Sequence, residues 1–434
     1  MMSHPSDPIG ILPHSQFVDS IARADFDGMM TDAHARVADP NAFKEMQMYL
    51  LRTHEGLDIA HSFADDAGQT FDCVPINQQP SLKGTGRAPA TPPDLSALSG
   101  ARSGVGAAPS VSGPLHADRK DRHGNVMACP PGTIPMRRVT LDQLARFRTL
   151  TDYHSKKPRS YRPASRPPGL VPGRGGAPVT PGEGHLYAAA QQAVAAIGGH
   201  SFLSLDAPAV NSDEVFSLSQ QWYTGGSQAS LQTAEVGWQV FPTHYPTDQP
   251  VLFVYWTNNG YNFNQDPSGS QGVYNLESPG YVQTNAAWPL GGALSPVSAA
   301  GGEQYEIEVL VYLYQGNWWL YLGGTSASNA IGYWPTSIYN GGQMASNADT
   351  ITFGGETCST TGSYAPMGSG AFASSGWTQA AYHRDIYYFP TDSSAQWPQL
   401  GIIQNTPNLY TIGLSSAADP WNIYFFYGGP GGSH

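Results

Sequence analysis

A proline-rich stretch divides this chain into two parts that cannot share one architecture. Residues 158–184 hold seven prolines (158, 163, 167, 168, 172, 178 and 181) and several glycines, a composition that favours a solvated linker over any packed element. The charge balance changes across it. Residues 1–184 carry 20 Lys and Arg against 18 Asp and Glu, whereas residues 185–434 carry no Lys, a single Arg (Arg384) and 15 Asp and Glu. An acidic surface repels nucleic acid and anionic membrane, so neither is expected as a partner of the C-terminal part. A chain poor in cations also has few salt bridges to lose when carboxylates protonate, which favours survival in acid. No run of about 18 apolar residues occurs to suggest a membrane span. With 49 Gly, 36 Pro and only 12% charged residues, coiled coils and helix bundles are excluded as well.

Residues 1–157 read as a small α/β segment. In DPNAFKEMQMYLL, Asp39 is a natural N-cap, Pro40 suits the first helical position, and Phe43, Met46 and Leu50 fall on one face. In VTLDQLARF, Thr140 and Gln143 have capping-box spacing. Between these pieces, residues 79–118 are rich in Pro, Gly, Ala and Ser and are expected to be a disordered insertion. Three cysteines allow at most one internal disulfide, and Cys73 with Cys129 is one possible pair. Nothing has metal-ligand spacing, so neither a metal nor a cofactor is expected. The N-terminus lacks a basic start followed by an apolar core, so no secretory signal peptide is recognised.

From residue 185 onward the chain is a succession of short β-branched and aromatic runs punctuated by Gly, Asn or Pro. Examples are EVGWQVFP (235–242), VLFVYWT (251–257), QYEIEVLVYLYQ (304–315), NWWLYLGG (317–324) and TITFGGE (350–356). QGN at 315–317 reads as a hairpin turn, and Glu303, Glu306 and Glu308 as part of a solvent face. The expected fold is mainly β, an antiparallel β-sandwich at 185–434 preceded by the small α/β segment. Helix propensity alone would make HLYAAAQQAVAAI (185–197) a helix.

No GxSxG or HExxH motif occurs, and His383 in its strand is expected to be structural. Carboxylates remain as the catalytic candidates. Alternation puts Glu235 on the same face as Gly237 and Gln239, opposite Val236, Trp238 and Val240. Glu356 follows Gly354 and Gly355, whose missing side chains would let a substrate backbone approach.

Seven motifs then occur in a particular order: EVGWQVFP, LFVYWTNNGY, VYNLESPGYVQT, GNWWLY, IGYWP, FGGE and MGSGAF. In this order they resemble the neprosin family of glutamic peptidases over roughly 185–390. Upstream, HEGLDIAHSFADDAGQTFDCVPINQQPSL and CPPGTIPMRR resemble that family's pro-segment. The resemblance implies a secreted β-sandwich peptidase made as a zymogen, acting at acid pH on peptide bonds after proline. It implies that Glu235 and Glu356 are the catalytic pair, and that 185–197 begins the first strand rather than a helix. The partners implied are proline-containing peptides or proteins and the chain's own N-terminal segment, with maturation cleavage within 158–184. Two cysteines that flank YNL in plant members are Val273 and Ser278 here, so their disulfide is missing. Aromatic rings stack well on proline, and Trp256, Tyr333 and Trp334, with Gln239, are the expected substrate-binding residues. A non-catalytic β-sandwich that binds carbohydrate or peptide through its aromatics is the alternative. A glycoside hydrolase also uses two carboxylates among aromatics, but no sugar-specific feature is seen.

Overall fold

The computed structural model describes residues 8–97, 107–156, 184–212, 214–261, 272–392 and 394–434. The expected linker and maturation region at 158–184 lies outside them, apart from Gly184.

The N-terminal segment is built from capped helices packed beside a small sheet. Helices α1 (His14–Arg23), α2 (Phe26–Met29) and α3 (Pro40–His54) come first. The Asp39 carboxylate accepts from the Asn41 and Ala42 amides at the start of α3, as its sequence predicts. Phe43, Met46 and Leu50 bury one face of α3 against Phe17 and Ile21 of α1. Strands β1 (His61–Ala64), β2 (Thr70–Pro75) and β3 (Thr133–Arg137) form an antiparallel sheet. A Cys73–Cys129 disulfide secures it. Helices α4 (Leu141–Leu144) and α5 (Leu150–His154) follow, and α4 carries the Thr140–Gln143 capping box.

The expected disorder of 79–118 is corrected where the structure describes it; 98–106 lie outside the described residues. Gln79 exchanges hydrogen bonds with the backbone of Gln283, and the Ser81 hydroxyl donates to the Tyr281 carbonyl. Val111 donates its amide to the Glu306 carbonyl, and Leu95 is buried. A low-complexity composition weakens a segment's own core, but this one finds partners on a larger surface.

The C-terminal part is mainly β, as expected. Its first strand, β4 (His185–Ser204), replaces the helix that propensity favours, because pairing on both sides outweighs the local preference of alanine. It is followed by β5 (Glu214–Gly225), β6 (Gln232–Val240), β7 (Val251–Thr257), β8 (Gly272–Tyr274) and β9 (Val282–Gln283). Then come β10 (Glu306–Tyr314), β11 (Asn317–Leu322), β12 (Ala330–Pro335) and β13 (Ala348–Ser359). Beyond the short β14 (Ser363–Tyr364) lie β15 (Ala381–Pro390), β16 (Gly401–Gln404), β17 (Thr411–Ser416) and β18 (Ile423–Gly428).

Among the described residues, fourteen of these strands join into one curled antiparallel sheet. Strand β4 belongs to two layers. Its first half pairs with β13 and β16, in a layer that continues through β5, β6, β7 and β8. Its second half pairs with β10 and β15, in a layer that continues through β11, β12 and β9 on one side. Gly198 lies where the strand passes between layers; a Cβ there would meet the Val311 carbonyl oxygen at 2.1 Å.

The two layers enclose the main core. Val236, Trp238, Leu252, Val254 and Trp256 point into it from the first layer. Ile307, Val309, Trp318, Leu320 and Trp334 point into it from the second. The Trp238 indole also donates to the Ser204 carbonyl, so its burial leaves no polar group unmet. Truncating Trp238 to Ala would cost about 3–5 kcal/mol. The QGN turn joins β10 to β11 as read from sequence, with Gln315 and Gly316 both at positive φ. Glu306 is a correction to the expected solvent face: it is fully buried, paired with Arg384 and accepting from the Tyr382 hydroxyl.

Candidate active site

The outer face of the first layer carries the site. On β6 the residues that face away from the core are Glu235, Gly237 and Gln239. Register then fixes their company: Glu235 lies opposite Trp222 of β5 and Tyr255 of β7. On β13, Glu356 lies opposite Leu218 of β5 and Tyr187 of β4. The two glutamates therefore sit on one face, on strands separated only by β5. Gly237 permits this close packing, since a Cβ there would come within 1.9 Å of the Ser219 carbonyl oxygen. Gly354 and Gly355 have a different use from the one expected. Added Cβ atoms would strike the β4 backbone and the side chains of Tyr427 and Met367, so these glycines make room for the fold, not for a substrate.

Both carboxylates are buried and fully occupied. Glu235 accepts from the Thr233 hydroxyl at 2.8 Å and the Tyr261 hydroxyl at 2.6 Å, both on Oε1. Glu356 accepts on Oε1 from His185 Nδ1 at 2.6 Å and the Tyr187 hydroxyl at 3.2 Å. Its Oε2 accepts from Gln220 Nε2 at 3.2 Å.

A cation from the N-terminal segment joins the pair. Lys156 lies two residues beyond α5, and its Nζ is 2.5 Å from Glu235 Oε2 and 3.0 Å from Glu356 Oε2. The same ammonium lies 5.7 Å from the centre of the Trp222 ring and 5.9 Å from that of Tyr255. Burial opposes the charge on Lys156, but the two carboxylates outweigh it and hold the ammonium above the usual lysine range. Burial likewise pushes the Glu356 carboxyl up, and Lys156 and His185 overcome it, bringing it down to about 2.

The approach of Lys156 is fixed by an interface further along the same face. Tyr153 of α5 stacks on His244 with ring centres 4.5 Å apart. His244 and Arg137 of β3 both reach Glu277 Oε1 at 2.9 Å. Burial pushes the Glu277 carboxyl up, but His244 and Arg137 outweigh it and bring it down to about 2.

Of the residues expected at the site, the structure brings together Glu235 and Glu356, with Gln239 further along the same face. Gln239 is buried and donates to the Tyr245 hydroxyl at 3.2 Å. The structure does not bring Trp256, Tyr333 and Trp334 to the two carboxylates. Trp256 follows Tyr255 on β7, so alternation turns it to the opposite face, where it packs edge-on to Tyr339. Trp334 is in the main core against Tyr281. Tyr333 packs on Trp319, and its hydroxyl accepts from the Ala90 amide. The rings that do stand beside the carboxylates are Tyr187, Trp222, Tyr255 and Tyr261. His185, Gln220 and Lys156 also went unread, because none has a sequence-local relation to a glutamate. His383 is a structural histidine between the Ser201 and Ser219 hydroxyls, and burial lowers it to about 3.

The family model described as Neprosin matches residues 213–430. A crystal structure of scytalido-glutamic peptidase with a transition-state-analogue inhibitor is 10% identical, covering 56% of this chain and 98% of that one, with a TM-score of 0.33. A structure of SCP-B, a member of the Eqolisin family, with the tripeptide Ala-Ile-His is 9% identical. It covers 57% of this chain and 98% of that one, with a TM-score of 0.29. The Neprosin match spans half of the sequence and embraces both layers of the β-domain, so the chain belongs to the neprosin family of glutamic peptidases.

Proposed function

We propose that this chain is the zymogen of an acid-acting endopeptidase that cleaves after proline, using Glu235 and Glu356, and that residues 1–157 are its pro-segment. The observation that carries the reading is Lys156, an ammonium from the N-terminal segment seated between the two carboxylates. Two buried carboxylates facing one gap need a shared cation or a shared proton. In the covered chain the cation is Lys156. In the active enzyme it is a proton, which acid supplies.

The chemistry follows from that exchange. One glutamate, ionised, takes a proton from a water molecule whose oxygen bonds to the scissile carbonyl carbon. The other, protonated, donates to the carbonyl oxygen as negative charge develops there. The carbon–nitrogen bond then breaks, and the proton taken from water passes to the leaving nitrogen. A free carboxyl and a free imino or amino terminus result. Two ionised glutamates leave no proton for the carbonyl oxygen, so activity falls toward neutral pH.

Trp222 and Tyr255 support the preference for proline. Their rings flank the point that Lys156 Nζ occupies, and a pyrrolidine ring stacks on such faces at little entropic cost. The test is incubation of the full chain near pH 3, followed on gels and by mass spectrometry of added proline-containing peptides. The reading requires loss of the N-terminal segment and new C-termini ending in proline. An intact, inert chain that still binds peptide or sugar would return the β-domain to a binding role.

A further inference from the structure

We infer that His185 is the positioning residue that makes Glu356 the base of the pair; this rests on the peptidase reading above. The argument is one of donors. Each donor that faces a carboxylate favours its ionised form, so of two neighbouring carboxyl groups the one with fewer donors, and with an oxygen that faces none, takes the proton first. With Lys156 withdrawn, Glu356 still receives three donors among the described residues, His185 and Tyr187 on Oε1 and Gln220 on Oε2. Both of its oxygens stay engaged. Glu235 keeps Thr233 and Tyr261, both on Oε1, while its Oε2 loses Lys156. Glu235 Oε2 is then the oxygen free to hold a proton and offer it to a carbonyl.

His185 is the donor that separates the two glutamates. Its contact is the shortest on Glu356, at 2.6 Å against 3.2 Å for both Tyr187 and Gln220. Its orientation is held from both ends. Nδ1 meets Glu356 Oε1 at 2.6 Å, and Nε2 lies 3.4 Å from the Cys358 sulfur on the same strand as Glu356. Phe216 packs against the ring. The other titratable groups around the pair are Tyr187 of β4, Tyr255 of β7, Tyr274 of β8 and Tyr261, together with Lys156 and Glu235. All four tyrosines are held above their usual range by burial first and then by the carboxylates or by one another, so in acid they are neutral. Once Lys156 leaves, the His185 imidazole remains the closest donor on Glu356, at 2.6 Å.

The test compares the full wild-type chain, processed in acid, with His185→Asn and His185→Phe. Asn keeps a neutral donor and Phe keeps only the ring. The readouts are kcat/KM against pH on a proline peptide and the pH titration of the Glu356 carboxyl by carbon NMR. The expected result for His185→Phe is an acidic limb and a Glu356 titration both moved upward by about one to two pH units. His185→Asn should lie between Phe and wild type, with its plateau rate largely restored. Should His185→Phe fail to fold, His185→Asn decides alone by the same upward movement. Equal loss at every pH with both limbs unmoved would overturn the inference and leave His185 a packing residue. A wild-type chain that cleaves no peptide would overturn the peptidase reading itself.

Discussion

Replacing Lys156 by Met should unmask the chain without unfolding it. Lys156 is buried and paired with two carboxylates, which are themselves buried. Removing one partner from a buried ion pair costs about 3–5 kcal/mol, because the remaining charge is left unpaired. Met keeps the aliphatic bulk, so the loss is electrostatic. The β-domain can recover part of it only by letting the N-terminal segment lift and admitting water or a proton. At 1.36 kcal/mol per tenfold, the open state gains roughly a hundred- to several-thousand-fold over the covered one. The rest of the interface, including Tyr153 on His244 and Arg137 on Glu277, keeps the segment folded nearby. The assay is the initial rate on a quenched proline peptide at pH 4–5, with gels showing that the chain is still uncut. Lys156→Met should be active before any cleavage, whereas wild type shows a lag. If intact Lys156→Met is as silent as intact wild type, the ammonium is not what blocks the site.

Two further outcomes follow from the N-terminal segment. His54 is lowered to about 4, by burial first and then by His14 and Arg138, with Asp72 opposing. A histidine held neutral by the fold leaves stability intact above its unfolded value of 6.5. That stability is lost as pH falls from 6.5 through about 4, and the loss amounts to about 3 kcal/mol. Hydrogen exchange of the α3 amides should therefore accelerate across this window, and His54→Phe should flatten the change; an unaltered slope would assign the acid sensitivity elsewhere. Reducing the Cys73–Cys129 bond frees a loop of sequence separation 56 and should weaken the segment by about 4 kcal/mol. Urea unfolding at neutral pH with and without reductant should move the segment's transition and leave the β-domain's in place. A shift shared equally by both would contradict a stabilisation confined to the segment.

What the sequence made legible follows from the range of each interaction. Asp39 and Thr140 were readable because a cap acts over two or three residues. The face of Glu235 was readable because alternation within β6 needs only its own neighbours. The face of β7 is not legible in VLFVYWT, because it depends on register with β6 and nothing in the run marks that Tyr255, not Trp256, meets Glu235. Lys156 and His185 lie 79 and 171 residues from the glutamates they touch. Only the folded chain brings them there. The buried pair of Arg384 with Glu306 was not legible either, because alternation in QYEIEVLVY puts Glu306 with the polar residues of a solvent face and its partner lies 78 residues away. The ordered motifs pointed to the two glutamates where local pattern alone left them among other strand residues.

The central claim is that Glu235 and Glu356 act together on a peptide bond. The most direct measurement is the acid hydrolysis of an internally quenched peptide with a single internal proline, using chains freed of residues 1–184. Wild type should cut after the proline, and Glu235→Gln and Glu356→Gln should each lose on the order of a thousandfold or more in kcat, with peptide binding retained. A variant of either glutamate that keeps the wild-type rate would contradict the account.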